Sequence, residues 1–257
     1  MITLLAANVV ELFMELLWPM IRISALLLVA PVLSISAVTL RIRVIFAFSL
    51  TWLIYPLVDW PQLDPTTAQG LAEVFNQAAL GILMGLMLQV VVGALVIAGQ
   101  TIANSMGLSM ATMMDPNIGS VPVLSQFFVI IGTLIFLGLS GHILLLELLL
   151  ESFRMIPIGT SLLSLNAMGH FIAWSSMMFA GGVMLALPMM VILLAVNIGL
   201  GVVTRAAPTL NIFAVGFPAT IIAGLLILYV TMGSIAARIQ WLWMAGFSNL
   251  RMILGIE

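Results

Sequence analysis

Apolar residues run almost without interruption along this chain, and a few polar positions divide it into segments. Runs long enough to span about 30 Å of hydrocarbon recur at 8–33, 44–58, 74–104, 123–150, 171–203 and 211–236. They predict six helical segments, the second of them short, and an all-α membrane-type fold of long, kinked helices forming hairpins. The link at 59–73 carries Asp59, Asp64, Glu73 and two prolines, so it is expected to be solvent-exposed and non-helical at its start. Arg41 and Arg43 are expected to fill the short turn between the first two segments. The positive-inside rule puts that turn, and Arg205, on the cytoplasmic side and the N-terminus outside, whereas Arg154, Arg238 and Arg251 disobey the rule. Such poor obedience suggests helices that do not cross a bilayer in the ordinary way.

The segments are not uniform apolar rods. In the third, Gly81, Gly85, Gln89, Gly93, Gln100, Asn104 and Gly107 fall within an arc of about 160° at 100° per residue. Small residues let backbones approach, and amides supply interhelical hydrogen bonds. The arc is either a packing face within the chain or a face turned to another subunit or a lumen. In the fifth segment Asn197, Gly201, Thr204, Arg205 and Pro208 lie within about 60° of one another, and Pro188 is expected to kink the helix after Gly181 and Gly182.

Two stretches break the apolar pattern outright. At 204–218, TRAAPTLNIFAVGFP, an arginine, two prolines and an asparagine separate two long apolar runs. An arginine at the centre of a membrane helix costs roughly 3 kcal/mol or more. Each proline also removes a backbone donor that lipid cannot replace. These residues point to an assembly or a conduit, not to a simple anchor. At 106–122, MGLSMATMMDPNIGSVP, Asp115-Pro116-Asn117 signals a turn and Gly119 can take positive φ. Met106, Met110, Met113 and Met114 are flexible apolar side chains. They either fill gaps in an interfacial loop or form a deformable constriction.

Composition sharpens the class. Of 257 residues 63% are hydrophobic and 6% charged, and the mean hydropathy is +1.31. A soluble surface needs far more charge, so an integral membrane protein is expected, with no room for a separate soluble domain. The net charge of −2 argues against nucleic acid as a partner. With no cysteine there is no disulfide, thiol nucleophile or thiolate metal site. The N-terminus lacks the basic region of a cleaved signal, and the first segment is expected to stay in the mature protein. All seven basic residues are arginine. That is either compositional drift or a sign that several guanidinium forks hold fixed contacts to neighbouring subunits.

Reactive chemistry is sparse. His142 and His170 have no second ligand at i+3 or i+4, and His142 is expected to donate a hydrogen bond in a packed interior. Glu147, Glu151 and Arg154 are spaced as an ion-pair-supported helix end, with a proton relay through the two glutamates as the alternative. There is no phosphate-cradling loop with its lysine and no nucleophile–base constellation. No enzymatic activity, cofactor or metal is expected.

Asp115-Pro116, Gly141-His142, Ser152-Phe153, Pro157, Arg205-Ala-Ala-Pro208, Asn211 and Gly216-Phe217-Pro218 follow one another in one order, with Arg22, Pro31, Arg41 and Arg43 before them. Over essentially its whole length the chain resembles the R subunits of bacterial flagellar type III export gates, a family shared with virulence-associated injectisomes. The unbroken Arg-Ala-Ala-Pro run is the more flagellar form. The resemblance implies a P-like helical region at 1–170, with a plug loop at about 106–122, followed by a Q-like helical hairpin at 171–257. It implies a channel plug made by Met106, Met110, Met113, Met114, Asp115, Pro116 and Gly119. Relatives often carry an aromatic residue where this chain has Met110. It also implies a hairpin tip and subunit interface at Arg205, Pro208, Asn211, Phe213, Gly216, Phe217 and Pro218. Gly85, Gln89, Gly93, Gln100 and Asn104 would form the polar helix-packing face.

The partners implied are the flagellar P and Q gate proteins, the flagellar B and A export components, unfolded flagellar subunits in transit, and membrane lipids. The place implied is the inner membrane at the flagellar basal body, with the gate largely lifted out of the bilayer plane. Three other readings stand beside it: a secondary transporter, whose broken helices would mark a substrate site, an injectisome export-gate subunit, and a scaffold that seeds assembly without gating.

Overall fold

The structure, a computed structural model, describes residues 2–33, 38–58, 60–61, 63–108, 123–159, 165–206 and 212–256. Regular structure among the described residues is helical throughout. In order the helices are α1 (Ile2–Val29), α2 (Leu40–Ile54, running into a 3₁₀ turn Tyr55–Leu57), α3 (Ala68–Ser105), α4 (Val123–Gly138), α5 (Gly141–Met155), α6 (Leu165–Ser175), α7 (Met177–Ala206) and α8 (Ile212–Leu254). Among the described residues four helical stretches are long and apolar enough to cross a membrane: Leu40–Leu57, Ala68–Ser105, Asn166–Ala206 and Gly216–Leu254. The broken pair α4–α5 makes a fifth if taken as one span.

The six expected segments are all present as helix, with four differences. The fourth is broken at Leu139–Ser140, because Ser140 takes a left-handed φ of 57° and its carbonyl restarts the ladder by accepting from the amides of Ile143 and Leu144. The fifth begins earlier, at Leu165, and is interrupted at Ser176, whose carbonyl accepts from Phe179 and Ala180. The last runs on to Leu254. Beyond Ser234 it becomes amphipathic, burying Ile235, Ile239, Leu242, Trp243, Phe247, Leu250 and Leu254 along one stripe, three or four residues apart except for the adjacent pair Leu242 and Trp243. Arg41 and Arg43 lie in the first turn of α2 and not in the turn before it.

The chain forms two compact units. Unit 1 comprises 1–90, 140–175 and 245–257. Its core joins Trp18, Ile23, Leu26 and Leu27 of α1 to Met84, Met87 and Leu88 of α3 and to Leu148, Leu149 and Phe153 of α5, all fully or almost fully buried. Helices α1 and α3 cross at Gly81, where an added Cβ would sit 2.3 Å from the Arg22 carbonyl oxygen. Thr67 caps α3: its hydroxyl accepts from the Gly70 amide at 3.0 Å. Trp174 of α6 donates its indole N–H to the Met87 carbonyl at 2.8 Å.

Unit 2 comprises 91–139 and 176–244. Small residues bring its backbones together. A Cβ at Gly99 would sit 2.4 Å from the Ser125 Cα, and one at Gly182 would sit 3.0 Å from the Ala94 carbonyl oxygen. This is the close approach that helices use where lipid supplies no hydrophobic drive to associate. Trp243 donates to the Gly132 carbonyl at 3.0 Å, and its ring packs 4.8 Å from that of Phe136.

Candidate functional site

A buried polar cluster organises unit 1. Arg22 is fully buried. Its Nε donates to Gln77 Oε1 at 2.7 Å, Nη1 to Ser152 Oγ at 3.1 Å and Nη2 to the Ile156 carbonyl at 2.9 Å. The guanidinium carbon lies 4.2 Å from the centroid of the Phe153 ring. Gln77 acts as a relay: its amide oxygen accepts from Arg22, and its Nε2 donates to Glu73 Oε1 at 2.6 Å. Glu73 also accepts from the Gly159 amide at 3.0 Å and from Asn76 Nδ2 at 3.2 Å. A buried cation and a buried carboxylate are thus joined through an amide, and α1, α3 and the end of α5 are tied together. The sequence placed Glu73 in an exposed loop. It is instead in α3 and buried, and the signal was its i,i+4 spacing from Gln77, facing a lone arginine. Arg22 spends its donors within the chain and not on a neighbouring subunit.

In unit 2 the root of the methionine-rich loop is fixed. Helix α3 ends as the Leu108 amide donates to the Ala103 carbonyl and the Gly107 amide to that of Asn104, both at 3.0 Å. That is a Schellman closure, and Gly107 takes the left-handed φ of 79° it requires. Met106 is fully buried and lies against the backbone of α8: a Cβ at Gly224 would meet its Cγ at 2.6 Å. Thr220 donates its hydroxyl to the Met106 carbonyl at 3.2 Å. The Phe217 ring lies 3.5 Å from the Cβ position of Gly107. Two anomalies of the sequence, the methionine loop and the Gly-Phe-Pro stretch, therefore meet. Met110, Met113, Met114, Asp115, Pro116 and Gly119 lie outside the described residues.

Helices α7 and α8 pack so that Arg238 faces Met184. Pro188 has no N–H to bond the Met184 carbonyl one turn earlier. Arg238 Nη1 donates to that carbonyl at 2.7 Å. Helix α7 ends with Thr204, whose hydroxyl bonds the Gly201 carbonyl at 3.0 Å, and with exposed Arg205 in its last turn. Pro208 and Asn211 lie outside the described residues, and Phe213 is in the first turn of α8. Gly216 is buried, Phe217 half-buried and Pro218 exposed. Pro218, expected in the hairpin tip, sits inside α8, where it has no N–H for the carbonyl of residue 214 and its ring crowds that carbonyl.

The polar arc of α3 divides. Gly85 packs against Val29, and Gly93 lies under Met178. Gln89 Oε1 is buried with no partner among the described residues. Gln100 and Asn104 are exposed and bond each other at 3.2 Å, and Asn197 Nδ2 reaches the Ser105 carbonyl at 3.5 Å. His142, expected in the interior, is exposed, because the break at Ser140 places it at the start of α5. Among the described residues no three metal-ligating side chains cluster. Residues 152–256 hold four arginines and no acid.

Apolar helices with small-residue crossings, proline breaks and exposed large hydrophobics such as Phe75, Tyr229 and Val230 define a membrane protein whose surface is made to be covered. Residues 13–245 match the family described as "Bacterial export proteins, family 1", and the chain belongs to that family. It is 34% identical over 238 residues to "Flagellar biosynthetic protein FliR" of Escherichia coli K12, covering 92% of this chain and 91% of that one. It is 32% identical to the protein of that name from Aquifex aeolicus, covering 86% of each, and 29% identical to that of Bacillus subtilis 168, covering 97% and 98%.

Proposed function

We propose that this chain is a non-enzymatic subunit of the flagellar type III protein export gate, helping to form and close the channel through which unfolded flagellar subunits leave the cell. The family match over 13–245 carries this reading, and near-full-length similarity to flagellar biosynthetic proteins supports it. Its partners are the flagellar P and Q gate proteins and the flagellar B and A export components, and its place is the inner membrane at the basal body. Residues 1–170 act as a P-like region and 171–257 as a Q-like hairpin with its tip near Arg205. The loop from Met110 to Gly119 closes the channel. The burial of Met106 against Gly224, and the bond from Thr220, supply the fixed root that such a plug needs.

Deleting 110–119 tests the plug. Assembly with the P and Q proteins should persist while ion leakage through the resting gate rises. Normal assembly with unchanged leakage overturns the assignment.

A further inference from the structure

The polar arc of α3 does not close on the chain itself. Two sides of the helix are taken: Gly99 lies against Ser125 of α4, and Ala94 against Gly182 of α7. Val96, Gln100 and Asn104 remain as an exposed stripe, one residue per turn. On α7, Asn197, Ile198 and Gly201 are exposed as well, and a Cβ at Gly201 would meet nothing within 4 Å. Asn197 Nδ2 lies 3.5 Å from the Ser105 carbonyl oxygen, which brings this stretch of α7 beside the end of α3. All of these residues belong to unit 2. Three carboxamides are therefore gathered on one outward surface, with no charge among them and their exposed neighbours Val96, Ile198 and Gly201.

Their hydrogen-bonding capacity is largely unused. Gln100 Nε2 donates to Asn104 Oδ1 at 3.2 Å. A carboxamide has two N–H donors and an oxygen that accepts twice. Among the described residues the Gln100 oxygen, both N–H groups of Asn104 and the Asn197 oxygen have no partner. Hydrocarbon cannot satisfy such groups, so a lipid-facing role is costly. The surface offers a donor beside an acceptor, without charge. A peptide group offers the same pair whatever side chain it carries, so an extended chain of any sequence can exchange hydrogen bonds with these amides.

We propose that Gln100, Asn104 and Asn197 line the conduit and hold the backbone of an unfolded polypeptide in transit. This rests on the export-gate reading above. The transit chain is the favoured occupant because Ser105, which Asn197 approaches, immediately precedes Met106, the buried root of the loop that closes the channel in that reading. A fixed neighbouring subunit is the rival occupant.

The test uses cells carrying the assembled gate, with p-benzoylphenylalanine placed in turn at positions 100, 104 and 197. The probe is an exported subunit fused to a folded domain that cannot enter the gate, so that it stalls in transit. Each of the three positions should photo-crosslink the stalled chain, and position 229, exposed on α8 among apolar residues, should not. Position 113, in the loop, reports on the gate reading separately. Substrate crosslinks at 113 and at none of the three overturn the lining and leave the gate reading standing, whereas none at any position overturns both. Crosslinks to the P or Q protein in place of the stalled chain show a subunit interface instead, and equal substrate crosslinking at 229 removes the assignment to the amides. Gln100→Leu/Asn104→Leu should slow export, by about fivefold for each hydrogen bond the passing backbone loses, with recovery of the P and Q proteins unchanged. Gln100→Asn/Asn104→Gln keeps both carboxamides and should export near the wild-type rate. Unchanged export by the leucine variant, or loss of assembly, overturns the proposal.

Discussion

Arg22 and Arg205 occupy similar settings in the sequence, each a lone guanidinium among apolar residues, and opposite settings in the fold. Arg22 is buried in unit 1, with three bonds to Gln77, Ser152 and Ile156 and an aromatic face against it. Arg205 is exposed in the last turn of α7, where the helix dipole favours a cation. The sequence around each explains the difference. Glu73 of unit 1 answers Arg22 through Gln77. Unit 2 spans 91–139 and 176–244, and its sequence holds a single acid, Asp115. Arg22 is a structural tie because it reaches Glu73 through Gln77, whereas Arg205 ends its helix exposed. Arg238 stands between these cases, exposed but bonded to a carbonyl that Pro188 leaves unpaired.

The largest effect expected is at Arg22. Arg22→Leu leaves Glu73 buried without its counter-charge, and breaking such a pair costs about 3–5 kcal/mol. Arg22→Leu/Glu73→Leu removes both charges and should recover much of that loss, because two desolvation penalties vanish with the attraction. Unfolding in detergent reads both variants. If the double variant is less stable than Arg22→Leu, Arg22 and Glu73 are not one energetic unit, and the contrast with Arg205 loses its basis.

Arg238 should matter less. Arg238→Ala leaves the Met184 carbonyl without a donor, at about 1 kcal/mol for an ordinary hydrogen bond. Pro188→Ala restores the missing N–H, so in that background Arg238→Ala should cost no more than a few tenths of a kcal/mol. Equal costs in the two backgrounds would separate the arginine from the proline. For Arg205→Ala the expected stability change of the isolated chain is within about 0.5 kcal/mol, as for an exposed position. Its recovery with the P and Q proteins should nevertheless fall. Full recovery would remove Arg205 from the proposed interface.

The helices themselves were legible, because a nearly unbroken apolar run of this length has few alternatives to helix. What stayed hidden was set by contacts between distant residues. The break at Ser140 lies in Leu-Gly-Leu-Ser-Gly, where small residues do signal a bend but continued apolarity outweighs them. The extension of α8 to Leu254 follows an apolar stripe whose polar side, Arg238, Gln240, Ser248 and Arg251, looked like the end of a span. Glu73 was misread because its charge suggests solvent until Arg22, 51 positions earlier in the sequence, is seen to face it through Gln77. The end of α7 at Ala206 was visible from Arg205 and the proline that follows it at 208. The connection of α8 to Met106 was not, since Gly224 and Thr220 carry no sign in the sequence of what rests on them.

The smallest effect expected lies at the entry to α3, and it marks what a single exposed charge does when its partners are neutral. Asp64 Oδ1 accepts from the Thr66 hydroxyl at 2.7 Å and from the Thr66 amide at 2.8 Å. The hydroxyl first, and the amide second, hold the Asp64 carboxyl below its ordinary range. A depressed folded value means the folded chain prefers the ionised form. The resulting stabilisation is fully present above the unfolded value of about 3.9 and is lost as pH falls through the lower folded value. The chain has three aspartates, Asp59, Asp64 and Asp115, so carbon-13 labelling of aspartate gives three carboxyl signals to follow during an acid titration. Asp64 should titrate below the ordinary aspartate value, and Thr66→Val, which keeps the amide and removes the hydroxyl, should move its midpoint up toward that value. A midpoint that Thr66→Val leaves unchanged would assign the depression to the amide alone.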